Sequence, residues 1–224
     1  MKDHIPDIEN RIIFEDSQLL VVDKPYDIPT AGKNLEDEDG LQFWLIRREG
    51  RMVWVVNQLD ADTTGINLFV KEKHLVKLFS GHLKHPKTLK RYLAVVHGSP
   101  IWDEIDQYDS IGYIDDRNLG VCADGKPAHS RFKVIGRSDD FSLIEATIFT
   151  GRTHQIRIHL SHGGHPVAGD DWYCHPPCTV HHRQALHSWQ LELHSNTPRK
   201  FTCPPPSDFV HLTKKLNLYN SLPK

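Results

Sequence analysis

Cysteine is scarce in this chain: four in 224 residues, Cys122, Cys174, Cys178 and Cys203. Four are too few to suggest a disulfide framework, and a chain of this length can bury a real core without one. No apolar run approaches the roughly 18 residues that a membrane span needs. The N-terminal stretch Met1–Arg11 is polar and acidic, so it does not read as a signal peptide. These absences lead to the expectation of a soluble, cytoplasmic protein. A surplus of positive charge is also missing. There are 27 Lys and Arg against 29 Asp and Glu, a formal net charge of −2 with histidines neutral, and the sequence pI is about 6.8. Generic nucleic-acid-binding domains often exceed a pI of ~9, so any polyanion must be met by a local basic surface. What the chain has in excess is histidine, 16 in all. Unperturbed imidazole titrates near ~6.5, so a fraction of these could protonate beside a polyanion.

No repeat or low-complexity tract interrupts the pattern, and no composition break divides the chain, so a single domain over 1–224 is expected. Apolar runs at Arg11–Phe14 and Leu19–Asp23, separated by Glu15-Asp16-Ser17-Gln18, predict a β-hairpin. Lys24-Pro25 ends it, since proline cannot donate to a ladder. Residues 26–40 are expected to loop, and Leu41–Arg48 to form a short helix. Strands are predicted at 53–57, 66–71, 90–97, 130–135, 142–149, 184–194 and 200–203, with 109–127 irregular and 170–183 a long loop. Leu75, Leu78, Phe79 and Leu83 recur at helical spacing. Thr153 and Gly163-Gly164 are expected to cap and stop a helix carrying Ile156 and Leu160, and Ser207 to cap a last one. Many hairpins with a few segregated helices make an α+β domain.

Four segments could carry chemistry. Leu59-Asp60-Ala61-Asp62-Thr63-Thr64-Gly65 puts two carboxylates on a polar loop between apolar strands; its plain alternative is an Asx-type turn. It lacks the ligand spacing and distal Glu of a calcium loop. Thr150-Gly151-Arg152-Thr153-His154-Gln155-Ile156-Arg157-Ile158-His159-Leu160 places arginine at a strand end just before a helix N-terminus, a corner suited to anions. There Arg152 could orient a carboxylate, and Arg157 and His159 could meet phosphates, or the segment is simply a solvated basic helix face. Lys90-Arg91-Tyr92-Leu93-Ala94-Val95-Val96-His97-Gly98 offers an aromatic platform beside two cations, or an ordinary strand with a half-buried tyrosine. Cys174-His175-Pro176-Pro177-Cys178 with His181-His182 is rich in potential zinc ligands. It has no paired Cys-x-x-Cys and no second half, so it is taken as a His-rich loop without a metal.

Taken together, these segments resemble the RluA family of pseudouridine synthases. The strongest match runs from Gly151-Arg152-Thr153-His154-Gln155-Ile156-Arg157-Ile158-His159-Leu160 through Gly164-His165-Pro166-Val167-Ala168-Gly169-Asp170. Leu59-Asp60 with Thr63-Thr64-Gly65 is similar to the family's aspartate loop, Val21-Val22-Asp23-Lys24-Pro25 to its opening hairpin, and Lys90-Arg91-Tyr92-Leu93-Ala94 to its tyrosine strand. Arg183-Gln184-Ala185-Leu186-His187 and the stretch from Pro205 to Phe209 also fit. The resemblance implies a mixed, mainly antiparallel sheet with a central catalytic cleft, and no cofactor. It implies Asp60 as the catalytic carboxylate, Tyr92 stacking on the target base and Arg152 as the cation paired with Asp60. Asp62 falls at a variable position.

The expected partner is a tRNA or rRNA stem-loop, contacted by Asn57, Gln58, Lys90, Arg91, His154 and Arg157; no membrane and no obligate protein partner is evident. No separate N-terminal RNA-binding domain of the kind some relatives carry is expected. Where the family usually has His-Arg before Leu-Asp, this chain has Asn57-Gln58, which makes substrate handling the point of departure. Two other functions compete. A non-catalytic RNA-binding protein on the same fold would bind RNA without isomerising it. A zinc-dependent hydrolase or deaminase would use the Cys/His loop, but the deaminase His-x-Glu and Pro-Cys-x-x-Cys pair is absent.

Overall fold

The computed structural model describes residues 7–223; Met1–Pro6, half of the polar N-terminal stretch, and Lys224 lie outside the described residues. In chain order the elements are β1 (Ile12–Glu15), β2 (Leu19–Lys24), α1 (Leu41–Glu49), β3 (Trp54–Val55), β4 (Thr64–Val70), α2 (Leu75–Lys84) and β5 (Leu89–His97). They continue with β6 (Glu104–Gln107), β7 (Ile111–Tyr113), β8 (Leu119–Val121), β9 (Ser130–Arg137), β10 (Phe141–Ile148), α3 (Gln155–His162), β11 (Leu186–Leu193), β12 (Arg199–Thr202) and α4 (Ser207–Lys215). The class is α+β, with mixed, mainly antiparallel pairing. Two compact units divide the chain: residues up to Thr88 with Ser188–Pro204, and Leu89–His187 with Pro205 onward. Among the described residues no helix is long and apolar enough to cross a membrane.

In the first unit, β2 pairs antiparallel with β1 and with β4, from Leu19↔Val70 to Lys24↔Gly65. Side chains alternate across a strand, and here both faces are covered. Leu19 and Val21 join Ile66, Leu68 and Val70 under Leu75, Phe79 and Leu83 of α2. Leu20, Val22 and Phe69 lie on the other face with Leu41 and Leu45 of α1. Both strands are therefore buried nearly throughout, as their sequences Leu-Leu-Val-Val and Ile-Asn-Leu-Phe-Val suggest. Truncating Leu41 or Leu45, both fully buried, to Ala should cost about 2–5 kcal/mol.

In the second unit, β10 pairs with β5 over its whole length, from Phe141↔His97 to Ile148↔Lys90, and its other edge pairs with β9. β6 extends this set along β9. The span 109–127, expected to be irregular, contains the small hairpin β7–β8, with Ile111 opposite Val121. Its strands are three residues long, too short to show alternation in sequence. Helix α3 begins at Gln155 with His154 in the left-handed region at the cap position and no side-chain cap, so Thr153 is not the N-cap. Ser207 is likewise the first helical residue of α4, with Pro206 at the cap. The glycine stop after α3 is as expected: Gly164 sits at φ +82°, a conformation that disfavours a side chain.

Candidate active site

Asp60 lies on the turn between β3 and β4, and that turn is pinned along its length. The Thr63 N–H donates to the Asp60 carbonyl (3.0 Å). The Leu59 N–H donates to Thr30 Oγ1 (3.0 Å), and that hydroxyl donates to Asn67 Oδ1 (2.9 Å). Asn67 Nδ2 donates to the Asn57 carbonyl (2.8 Å). On the far side of Asp60, the Lys24 ammonium reaches the carbonyls of Ala61 (2.6 Å), Ile28 (2.6 Å) and Pro25 (2.8 Å). Lys24, Thr30 and Asn67 are all fully buried. Asn67 occupies a core position of β4, so its amide must find partners, and Thr30 and Asn57 supply them. Gly65, at φ +104°, permits the change of direction from loop to strand. Asp60 itself is half-buried.

Asn57 and Gln58, both expected at the RNA, differ in setting. Asn57 Oδ1 accepts the Leu68 N–H (2.8 Å), so its side chain fastens the segment after β3 to β4. Gln58 is exposed. Thr30 and Asn67 were not singled out from sequence; Lys24 carried a signal only through its place in the opening hairpin.

The second unit holds the other expected residues. Lys90 and Tyr92, two apart on β5, share one face, and Arg91 takes the opposite one. Tyr92 is 8 % exposed. The Lys90 ammonium lies 3.4 Å from the Thr150 carbonyl, and burial pushes its pKa down to about 8. Thr150 Oγ1 in turn donates to Gln155 Oε1 (2.7 Å), which also accepts the Arg152 N–H (3.0 Å). Gln155 Nε2 donates to the His129 carbonyl (3.0 Å) and Ser130 Oγ (2.9 Å). All four hydrogen-bonding positions of this buried amide are thereby used, and the strand-to-helix corner is locked. From that corner Arg152 extends half-buried, its Nε donating to the Pro127 carbonyl (2.9 Å). Lys90, Thr150, Arg152 and Gln155 thus form one connected group.

His154, at φ +54°, meets Tyr173 Oη through Nδ1 (2.9 Å) and has Trp172 edge-on at 5.2 Å. Two expected phosphate contacts are used differently. Arg157 is 5 % exposed and forks onto Asp170, at 2.6 and 2.9 Å. His159 is fully buried between Ser130 Oγ (3.0 Å) and the Asp109 carbonyl (2.9 Å), and burial lowers its pKa. Gln155 through Leu160 are all buried, so α3 is enclosed on every side and both side chains are engaged with neighbouring protein groups.

A half-buried carboxylate on a pinned loop, and a buried aromatic beside a cation-bearing corner, are parts suited to a reaction on a stacked, anionic substrate. The RNA pseudouridylate synthase family matches residues 18–162, a span containing Asp60, Tyr92 and Arg152. This chain belongs to that family. Among curated members, a ribosomal large subunit pseudouridine synthase C from Yersinia pestis is 33% identical over 92% of this chain and 68% of its own length. One of the same name from Haemophilus influenzae is 34% identical over 74% of this chain and 53% of its own. The chain thus spans between about half and two-thirds of these pseudouridine synthases. The solved structure named Human RNA Pseudouridylate Synthase Domain Containing 4 shares the fold, with a TM-score of 0.78, 22% identity and 94% coverage of both chains.

Proposed function

We propose that this chain isomerises uridine to pseudouridine in RNA, with Asp60 as the catalytic carboxylate. The observation that carries this is the family match across one continuous span that takes in the pinned Asp60 loop, the Tyr92 strand and the Arg152 corner. The N1–C1′ bond breaks, the uracil turns, C5 bonds to C1′, and the proton leaving C5 is balanced by one gained at N1. Substrate and product are isomers, so the reaction requires no redox partner or group donor. Asp60 either attacks C1′ or removes the C2′ proton, as in other reactions through an electron-poor sugar; a loop held on both sides of the carboxylate serves either route.

Tyr92 stacks on the base, and roughly 1–3 kcal/mol from that stacking offsets part of the few kcal/mol needed to unstack it from the RNA. Arg152 supplies the balancing positive charge. Lys90, Arg91, His154 and the exposed Gln58 contact the flanking RNA; Arg157 and Asn57 are structural. The curated relatives point to large-subunit rRNA as the first substrate to examine.

The test is mass-spectrometric mapping of pseudouridine in total RNA after deletion of the gene, with complementation by wild type and by Asp60→Ala. One large-subunit rRNA uridine should lose its modification and regain it with wild type alone. Unchanged modification everywhere, or rescue by Asp60→Ala, overturns the assignment.

A further inference from the structure

Histidines 181 and 182 have no part in the proposed reaction, yet they converge on a carboxylate from a distant segment. His181 Nε2 lies 3.5 Å and His182 Nε2 3.7 Å from Asp208 Oδ2, at the start of α4. One donor atom from each of the three residues lies within 4.8 Å of the other two. Donors around a tetrahedral zinc ion with bonds of about 2.0–2.1 Å sit about 3.3 Å apart, so two of the three spacings are nearly those of a site. The His181 side chain is only 6 % exposed, and its Nε2 is buried without a hydrogen-bond partner. A buried ring nitrogen without a partner is rare and asks for an explanation. Here it faces a carboxylate and a second imidazole.

We propose that His181, His182 and Asp208 bind a divalent ion of the zinc type, fastening the 170–183 loop to α4. Two imidazoles and one carboxylate favour zinc and its transition-metal neighbours over magnesium or calcium. Arg183 forks onto Asp208 at 2.7 and 3.2 Å, the kind of outer contact that orients a ligating carboxylate. It takes one lone pair on each oxygen, and the Phe209 N–H (2.8 Å) takes another on Oδ1, so Oδ2, the oxygen facing both imidazoles, keeps one for an ion, while the charge of Arg183 makes the ion bind less tightly than it would to the same three ligands alone. His182 is about half exposed, which gives an ion a way in and leaves room for water as fourth ligand. Cys174, in the same loop, is the rival ligand. Burial pushes its thiol up, away from the thiolate that a metal needs.

The experiment is titration of untagged, chelator-stripped protein with Co²⁺, followed by Zn²⁺ competition. The expected result is one Co²⁺ per chain with visible d–d absorption and no sulfur-to-cobalt charge-transfer band, displaced by Zn²⁺, with raised thermal stability in zinc. His182→Gln, at a half-exposed position, should weaken binding at least roughly tenfold with an unchanged circular-dichroism spectrum. A thiolate charge-transfer band, wild-type affinity in His182→Gln, or no saturable binding would each overturn the site.

Discussion

Arg157 provides a sharp test, because its sequence setting and its structural setting predict different consequences of losing it. Its guanidinium and the Asp170 carboxylate are 6 % and 0 % exposed and joined by a fork. Asp170 Oδ1 also accepts the N–H groups of Trp172 (3.0 Å) and Tyr173 (3.1 Å). Arg157→Met keeps the volume and removes the cation, stranding a buried carboxylate. Breaking one side of such a pair costs about 3–5 kcal/mol. The two backbone donors that remain place the expected loss near the lower end, ~3 kcal/mol.

At about 2–4 °C per kcal/mol for a chain of this size, the melting temperature should fall by roughly 6–12 °C. Thermal unfolding followed by near-ultraviolet circular dichroism, with urea titration at 25 °C as the companion, measures it. Arg157→Met/Asp170→Asn should recover part of the loss, since the stranded charge is gone. RNA affinity against salt provides the second arm. A lost phosphate contact lowers the slope of log affinity by about 0.7–0.9; Arg157→Met should leave the slope unchanged, and Lys90→Met should lower it. A variant of wild-type stability with a reduced slope would refute the buried-pair argument and return Arg157 to the RNA surface.

Asp60→Asn should lower turnover by at least roughly a hundredfold while RNA affinity, by filter binding, stays within about threefold; normal turnover would remove Asp60 from the chemistry. Lys24→Met leaves three carbonyls without their ammonium donor and should cost roughly 3 kcal/mol, with kcat falling more than KM rises, because the Asp60 loop loses its hold. Lys90, with its pKa lowered to about 8 by burial, gives a pH signature. The unfolded chain holds this proton up to its ordinary pKa near ~10.4, so between the two values the unfolded state binds more protons and Lys90's contribution to stability rises with pH. Its contact with RNA runs the other way: affinity should weaken by at most about tenfold from pH 7 to pH 9, and Lys90→Arg, which stays charged, should flatten that dependence.

The elements that bear the candidate site were legible from local pattern. Short apolar runs marked β2, β4, β5 and β10, helical spacing marked α2, and the Asp60 loop stood out as a polar interval between apolar strands. The basic corner at Gly151-Arg152 was equally visible, because a strand end followed by a helix start is written in adjacent residues. What those residues do to one another was not. Arg157 read as a surface cation until burial paired it with Asp170, 13 positions on. Thr30 is an ordinary loop threonine until the fold brings it to Asn67, 37 residues away, and to the backbone behind Asp60. His181 and His182 gain meaning only beside Asp208. Local order follows from the periodicity of neighbours, which any stretch of chain displays. Whether a charged or amide side chain faces water, a carboxylate or a catalytic loop depends on desolvation and on partners far along the chain, and these exist only once the sheets and helices have closed around them.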